Sequence, residues 1–274
     1  MPFYRFEGLD IERFNPHLST GEGRTIEGRY MYFRTIHKNT GTGSELHYHP
    51  NELMIFPLRG KINAIVGKDR RIVSPGTFVH VPANARHSMR ATEDGPMDYL
   101  YIKDRTWSLI GIAADEAPPE LAPTPEEVAQ AHDAGRWPGG KKQPEKSQAI
   151  IEGLGECYYE IIDSLDAPPA SGHREHWVSG ERLAFGFVEL LPGEVEEETS
   201  ALHETFVYIL RGGLDARVAG EDKRVHAGDI IYIPKGAPSR VSVDGPNIVR
   251  YCAVRSTAWL EGKVDKHGAS KDPK

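Results

Sequence analysis

The chain has 274 residues, of which 39% are hydrophobic and 27% are charged, so it has enough apolar material for one large domain or two medium ones. Its formal net charge of −7 argues against nucleic-acid binding, because contacts to phosphates need a basic surface. No run approaches the roughly 18 apolar residues of a membrane span, and the first residues lack the features of a signal peptide. We therefore expect a cytoplasmic protein that acts on a small molecule, without nucleic acid or membrane as a partner.

Short runs rich in Val, Ile, Phe and Tyr, separated by Gly and Pro, occur in both halves of the chain. This pattern is typical of antiparallel β structure. The clearest predicted strands cover residues 30–36, 54–58, 77–81, 183–191 and 206–210.

Residues 113–150 differ in composition, because they are rich in Pro, Ala, Glu and Lys. One short helix is predicted within them. Thr124 is suited to cap its start, Pro125 to occupy the first helical position, and Glu127 to complete a Thr-x-x-Glu capping box. Gly135 is expected to end the helix, so this segment is interpreted as a partly helical linker.

A shift of 152 residues aligns the two halves without a gap, as from Phe33 to Phe185. Further identical pairs are Gly41 and Gly193, Glu52 and Glu204, Gly76 and Gly228, and Tyr99 and Tyr251. A single register kept over this distance predicts an internal repeat, and therefore two copies of one fold.

Two motifs in the first half combine turn residues with histidines. The first runs from Gly41 through His47 and His49 to Gly60, and the second runs from Pro75 to His87. These motifs resemble the two sequence motifs of the cupin superfamily, and the resemblance extends over residues 25–110 and 177–260. It implies an all-β chain of two tandem cupin barrels (double-stranded β-helix or jelly-roll). The implied division is an N-terminal barrel with a metal site at residues 1–112 and the linker at residues 113–150. A C-terminal barrel without metal ligands follows at residues 151–262, and a flexible tail at residues 263–274.

The histidines of these motifs are candidate metal ligands. His47 and His49 are two residues apart, so both project from one face of a strand, and in cupins that face lies inside the barrel. His87, from another strand, adds a third nitrogen to give a facial set with open positions. Taken singly, each histidine has the alternative interpretation of a hydrogen-bonded core or loop residue. The second repeat has no equivalent set, because its aligned residues are Thr199, Ala201 and Ser239, and His203 stands alone.

One position departs from the cupin motif. Cupins usually have a glutamate four residues after the second histidine, where this chain has Leu53. Glu52 is three residues after His49, and this odd spacing turns it to the opposite face of a regular strand. The turn at residues 50–51 could break that parity, so Glu52 stays open as a fourth metal ligand. The alternative is a surface or supporting residue, because Glu204 occupies the same place in the half without metal ligands.

Four further residues are candidates for the substrate pocket. Met89 should share the face of His87 and line the pocket with apolar surface. Arg34 would bind a substrate carboxylate if it points into the barrel, and would be a surface charge if it points out. Tyr99 and Tyr101 share one face of a strand and fit either the pocket or the core.

The predicted ligand set suggests a class of chemistry. Three neutral ligands leave a divalent ion with its full charge, which favours a bidentate anion such as a hydroxy aromatic acid, a β-dicarbonyl enolate or a thiolate. Without the motif carboxylate, the ligand set resembles that of the three-histidine cupin dioxygenases. This resemblance implies a non-heme Fe(II) enzyme, which we expect to be a homodimer. Two alternatives stay open: an oxygen-independent isomerase, lyase or hydrolase with Mn, Ni or Zn as Lewis acid, and a non-catalytic small-molecule binding protein.

Overall fold

The computed structural model describes residues 1–135 and 142–257. The predicted flexible tail and the last residues of the second barrel lie outside the described residues. The strands of the first half are β1 (Phe3–Arg5), β2 (Glu22–Glu27), β3 (Met31–Lys38), β4 (His47–Tyr48), β5 (Leu53–Arg59), β6 (Ile62–Val66), β7 (Asp69–Val73), β8 (Thr77–Val81), β9 (His87–Ala91), β10 (Met97–Asp104) and β11 (Ile112–Ala113). After the helix α1 (Pro125–Asp133), the strands are β12 (Tyr158–Glu160), β13 (Arg174–Ser179), β14 (Leu183–Leu190), β15 (Thr199–Ser200), β16 (Thr205–Arg211), β17 (Gly213–Val218), β18 (Glu221–His226), β19 (Asp229–Ile233), β20 (Pro238–Ser242) and β21 (Val249–Ser256).

Each half contains two antiparallel sheets with an apolar core between them. In the first half the strand orders are β12-β8-β5-β10-β3-β2 and β11-β4-β9-β6-β7, and in the second they are β1-β19-β16-β21-β14-β13 and β15-β20-β17-β18. The first core joins residues such as Ile55 and Val79 of one sheet to Ile62 and Met89 of the other. The prediction of an all-β chain with two cupin-type units is confirmed.

The linker helix begins as its sequence predicts. The Glu127 amide donates to Thr124 Oγ1 over 3.1 Å, and the Thr124 amide donates to Glu127 Oε2 over 2.8 Å, so both bonds of the capping box are present. Gly135 follows the helix with a φ of 64°, which a residue without a Cβ adopts at little cost. In the described part of the chain, no helix is long and apolar enough to cross a membrane.

The two six-stranded sheets pack against each other and join the halves. Phe33 of the first half stacks on Phe206 of the second with ring centroids 4.8 Å apart. Phe78 and Phe185 meet edge to face at 4.2 Å. These sheets are therefore covered on both faces, which explains why β14 is buried along its whole length.

Two short strands are exchanged between the halves. Strand β1 pairs with β19, placing Phe3 opposite Ile231, and β12 pairs with β8, placing Tyr158 opposite Val79. Each covers an edge that would otherwise expose unpaired backbone groups. The division into domains at residues 112 and 150 stays a prediction, and both exchanged strands cross it.

Candidate metal site

The three histidines converge at one end of the first half. Strands β4 and β9 place His47 directly opposite His87, and His49 follows β4 by one residue. The ring centroids of His47 and His87 are 4.2 Å apart, and those of His49 and His87 are 4.7 Å apart. One nitrogen from each ring lies within 4.8 Å of the others. This spacing is suitable for three ligands around a single ion.

Backbone carbonyls orient all three rings. The Nδ1 atoms of His47, His49 and His87 lie 2.8, 3.0 and 2.8 Å from the carbonyl oxygens of Glu45, Asn51 and Ala85. A carbonyl oxygen only accepts hydrogen bonds, so each Nδ1 carries the proton and each Nε2 keeps its lone pair. The Nε2 atoms of His49 and His87 are buried and lack a hydrogen-bond partner in the described chain. Buried lone pairs held in this way fit a divalent transition metal.

Burial keeps the three imidazoles neutral. It lowers the pKa of His47 to about 4 and lowers the pKa of His49 and His87 well below the ordinary value. Metal binding therefore requires no proton to be displaced from Nε2 near neutral pH.

A small cavity of about 50 Å³ adjoins His47 and His87. All four predicted pocket residues contribute to its lining: Arg34, Met89, Tyr99 and Tyr101. Leu53, at the position of the usual glutamate, also lines it, and none of the described lining residues is acidic.

Arg34 points into the cavity and not to the surface, which settles the two orientations that its strand left open. Its side chain is 4% exposed, and the Phe14 ring lies 4.1 Å from the centre of the guanidinium. Arg34 Nε has no hydrogen-bond partner in the described chain. Burial lowers the pKa of Arg34 to about 10, so the group stays charged at neutral pH. An unpaired buried guanidinium is suited to bind a carboxylate.

Two buried lysines near the site are not among the residues that sequence reasoning selected. Lys38 lines the cavity, donates to the Met89 carbonyl over 2.8 Å, and has its pKa lowered to about 7 by burial. Lys103 donates to the Ser108 carbonyl over 3.1 Å, and burial also lowers its pKa. The sequence does hold one signal for them, which is strand parity. Lys38 is four residues after Arg34 on β3 and Lys103 is two after Tyr101 on β10, so each lysine shares a strand face with a predicted pocket residue.

An irregular segment before β2 forms part of the cavity wall. Phe14, Asn15 and Leu18 from this segment line it. The Asn15 side chain donates to the Leu109 carbonyl over 3.0 Å and accepts from the Gly111 amide over 2.7 Å. The segment has no periodic pattern, so its role could not be read from the sequence.

The Glu52 carboxylate points away from the histidines and into the second half. It accepts hydrogen bonds from the backbone amides of Glu181, Arg182 and Leu183 over 2.8, 2.6 and 2.7 Å. Its Oε1 atom also lies 2.7 Å from His80 Nε2. This orientation agrees with the odd spacing between His49 and Glu52. It directs the Glu52 carboxylate away from the three histidines, beside which it was considered as a possible fourth metal ligand.

Glu204 makes the equivalent contacts in the opposite direction. It accepts from the backbone amides of Arg29 and Tyr30 of the first half and from the Tyr232 hydroxyl over 2.9 Å. A Cβ on Gly180 would lie 1.9 Å from Glu52 Oε1, and one on Gly28 would lie 2.5 Å from Glu204 Oε1. We call these two contacts the carboxylate clasps. They join the halves and explain why a glutamate recurs at this position in both repeats.

A family model described as the cupin domain matches residues 35–103 and 186–255, which together make up more than half of the chain. The chain belongs to the cupin family. The first matched region contains all three histidines, so the first cupin domain carries the candidate metal site. Within the described residues, this is the one group of three potential metal ligands.

Solved structures similar to this bicupin are those of oxalate decarboxylase. One structure of the Bacillus subtilis enzyme, which concerns its Mn(II) centres, is 16% identical, with 95% of this chain and 78% of that chain covered at a TM-score of 0.64. A B. subtilis variant with tryptophan replaced by tyrosine is 20% identical, with 93% and 77% covered at a TM-score of 0.63. These identities establish the shared fold alone. No curated protein sequence matches the chain.

Proposed function

We propose that the first cupin domain is a metal-dependent enzyme for a small anionic substrate, with His47, His49 and His87 as its complete set of protein ligands. The observation that carries this proposal is the charge of the cavity. His47 and His87 line a cavity whose described ionisable lining also includes Arg34 and Lys38 and no carboxylate, and His49 lies next to these two imidazoles. A bound divalent ion would add to this positive field, so the site favours an anion over a neutral molecule.

The residues around the cavity have distinct tasks in this proposal. Arg34 binds a substrate carboxylate, and the Phe14 ring holds its guanidinium in place. Burial raises the pKa of Tyr99 and Tyr101, so both phenols stay protonated and can donate hydrogen bonds to an anion. Lys38 can hold or release a proton at Nζ near neutral pH. When bound, the metal would supply Lewis acidity and, as Fe(II), the electrons for oxygen chemistry.

Within this class we propose an Fe(II)-dependent dioxygenase that acts on a hydroxy aromatic acid, a β-dicarbonyl enolate or a thiolate. Support comes from Leu53, because the missing carboxylate leaves a ligand set that resembles the three-histidine cupin dioxygenases. The cavity of about 50 Å³ accepts only a few atoms, so the larger substrates require the segment around Phe14 to shift. The homodimer and the cytoplasmic location stay predictions.

A second candidate is an oxygen-independent lyase that uses Mn(II). It is favoured by the oxalate decarboxylase structures that share the fold, and by the two cations, Arg34 and Lys38, that suit a compact dianion.

Metal reconstitution followed by a substrate panel tests the proposal. Untagged protein is stripped of metal, loaded with Fe(II) or Mn(II), and given an ortho-hydroxybenzoate, a β-diketone, a thiol or oxalate. We expect oxygen consumption with Fe(II), measured at an oxygen electrode, and none in His87→Ala. Anaerobic release of CO₂ with Mn(II) would select the lyase instead. If these anions bind but none is turned over under any condition, the protein is a non-catalytic small-molecule binding protein.

A further inference from the structure

The second cupin domain contains a much larger cavity at the position of the first domain's metal site. Its volume is about 450 Å³, against about 50 Å³ in the first domain. Smaller residues occupy the equivalent positions: Gly186 for Arg34, Thr199 for His47, Ala201 for His49, Ser239 for His87, Val241 for Met89 and Ala253 for Tyr101. In the second domain the positions equivalent to the three histidines therefore border open space that apolar side chains do not fill.

An aromatic wall lines this space. Trp177 of β13 lies opposite Gly186 of β14, and a Cβ on Gly186 would come within 2.7 Å of the indole. Only glycine leaves room for the ring to lie against the strand. Tyr251 of β21 adds a second aromatic side chain to the lining. Such walls bind flat apolar groups well.

An exposed cation without a close ion pair stands on the same wall, where it also interacts electrostatically with Glu196 of the lining. The guanidinium centre of Arg255 lies 4.0 Å from the centroid of the Trp177 ring. Within the described chain its side chain takes part in no ion pair or hydrogen bond, unlike Arg250 on the same strand, which bonds Glu189 and the Leu165 and Ala167 carbonyls. A stacked guanidinium keeps its donors directed at a ligand, which suits a carboxylate.

The remaining lining completes a pocket with an apolar body and a few polar groups. Thr199, Thr205 and Ser239 add hydroxyls, and Leu202 adds apolar surface although 80% of that side chain is exposed. Glu196 is the one acidic residue among the described lining, against the cations Arg240 and Arg255. The volume falls within the usual range for small-molecule sites, about 300–1,000 Å³.

We propose that the second cupin domain binds a small organic carboxylate with a flat apolar body, without a metal. The body lies along Trp177 and Tyr251, and the carboxylate pairs with Arg255. This site is separate from the three histidines, so it holds whether or not the first domain is an enzyme.

Benzoate is the test probe. Benzamide is its neutral analogue, and acetate is a carboxylate that lacks the aromatic ring. Titration calorimetry uses metal-free protein carrying His87→Ala and Arg34→Gln, which removes both the metal site and the proposed carboxylate-binding residue of the first domain. We expect saturable binding of one benzoate per chain, with benzamide and acetate weaker by about tenfold or more. Arg255→Gln should weaken benzoate to the level of benzamide. The matched control is Arg211→Gln, an exposed arginine of the same domain outside the cavity, and it should change nothing.

Two filling variants locate the probe. Ala253→Leu and Ala201→Leu place extra atoms in the cavity from different parts of the barrel, so at least one should fold, as judged by its melting curve. Each folded variant should weaken benzoate about tenfold or more. Absence of benzoate binding at about ten millimolar would overturn the proposal, as would binding that neither Arg255→Gln nor a filling variant changes. Equal affinity for benzoate and benzamide would overturn the assignment of a carboxylate.

Discussion

Each metal-facing imidazole depends on a single backbone carbonyl for its orientation, and this makes the three histidines rigid without any acidic partner. Replacement of His87 by alanine removes one of three ligands, so we expect metal to be lost from purified protein, with affinity reduced at least about 100-fold. His203→Ala is the matched control, because this histidine lies in the second domain and outside the cluster. Elemental analysis of both variants checks the result, and metal loss from His203→Ala alone would contradict the ligand assignment.

Leu53 allows the missing carboxylate to be restored. Its side chain is fully buried and lines the cavity, so Leu53→Glu should direct a carboxylate toward the histidines. We expect metal affinity to rise about tenfold or more while turnover falls, because the new ligand occupies a position that the substrate needs. Leu53→Gln, of equal size and no charge, is the control in competitive metal titrations. Equal metal affinity in the two variants would show that residue 53 does not reach the metal.

Arg34 is the residue with which the proposed carboxylate recognition is tested. Arg34→Gln keeps a polar side chain, although a shorter one, and removes the charge, so KM should rise by about 30- to 100-fold, or 2–3 kcal/mol. Metal content should stay at the wild-type value, since Arg34 is not a ligand. Steady-state kinetics on the identified substrate provides the measurement. A fall in kcat with unchanged KM would assign Arg34 another role.

Site residues whose position depends on strand parity and motif spacing could be predicted from the sequence. Those whose position depends on packing against distant parts of the chain could not. His47, His49 and His87 were predictable because strand alternation and motif spacing place them together. Lys38 and Lys103 were missed, because lysine is almost always exposed and parity with Arg34 and Tyr101 does not by itself show that these two are buried. Parity predicted that Glu52 turns away from the cavity, but its partners lie in a loop of the other repeat.

The carboxylate clasps couple strands to loops across the domain boundary, and the pKa values of their two glutamates are shifted in opposite directions. Burial alone would raise the pKa of Glu52, but hydrogen bonds from His80 and the backbone amides outweigh it and lower the pKa below the ordinary value. The pKa of Glu204 is raised instead, because burial outweighs its hydrogen bonds. Glu52 therefore adds stability above the ordinary carboxyl pKa of about 4.3, and this stability is lost as the pH falls. Glu204 acts in the opposite sense, losing stability as the pH rises through its folded pKa.

Replacement of each clasp glutamate by glutamine tests this asymmetry. At pH 7 Glu52→Gln should lower the free energy of unfolding by about 2–4 kcal/mol, because buried amides lose a charged acceptor. Glu204→Gln should cost less at pH 7, since a carboxyl whose pKa is raised on folding gains no stability from its charge. Urea unfolding at pH 7 and pH 4 should show that the Glu52→Gln deficit shrinks in acid. Glu45→Gln on the exposed surface is the control, and a pH-independent Glu52→Gln deficit would contradict the assigned pKa direction.

The strands differ in how far their sequence announces them. Long strands such as β3 and β14 were predicted to within two residues at either end, because they carry apolar runs between turn residues. Strands β1 and β12 are three residues long and have no such pattern. Their position depends on which sheet edge is free, and only the folded chain determines that.

The described part of the chain holds one cluster of three candidate metal ligands, in the first domain, so each chain should bind a single transition metal. Elemental analysis of reconstituted, untagged protein should give about one ion per chain. A ratio near two in well-folded protein would mean that the second domain holds a metal through residues outside the described ligand cluster.

The exchange of β1 and β12 also bears on how the chain emerges from the ribosome. The last long strand of the first domain ends at Asp104, but β12, which covers the edge at β8, begins only at Tyr158. At synthesis rates of roughly 5–20 residues per second, the growing chain waits several seconds for this strand. The aromatic face that includes Phe33 and Phe78 stays uncovered for longer, because Phe185 and Phe206, which pack on it, are synthesised after β12. During that interval a nascent first domain has an open edge and an uncovered face, the two features through which neighbouring polysomal chains associate.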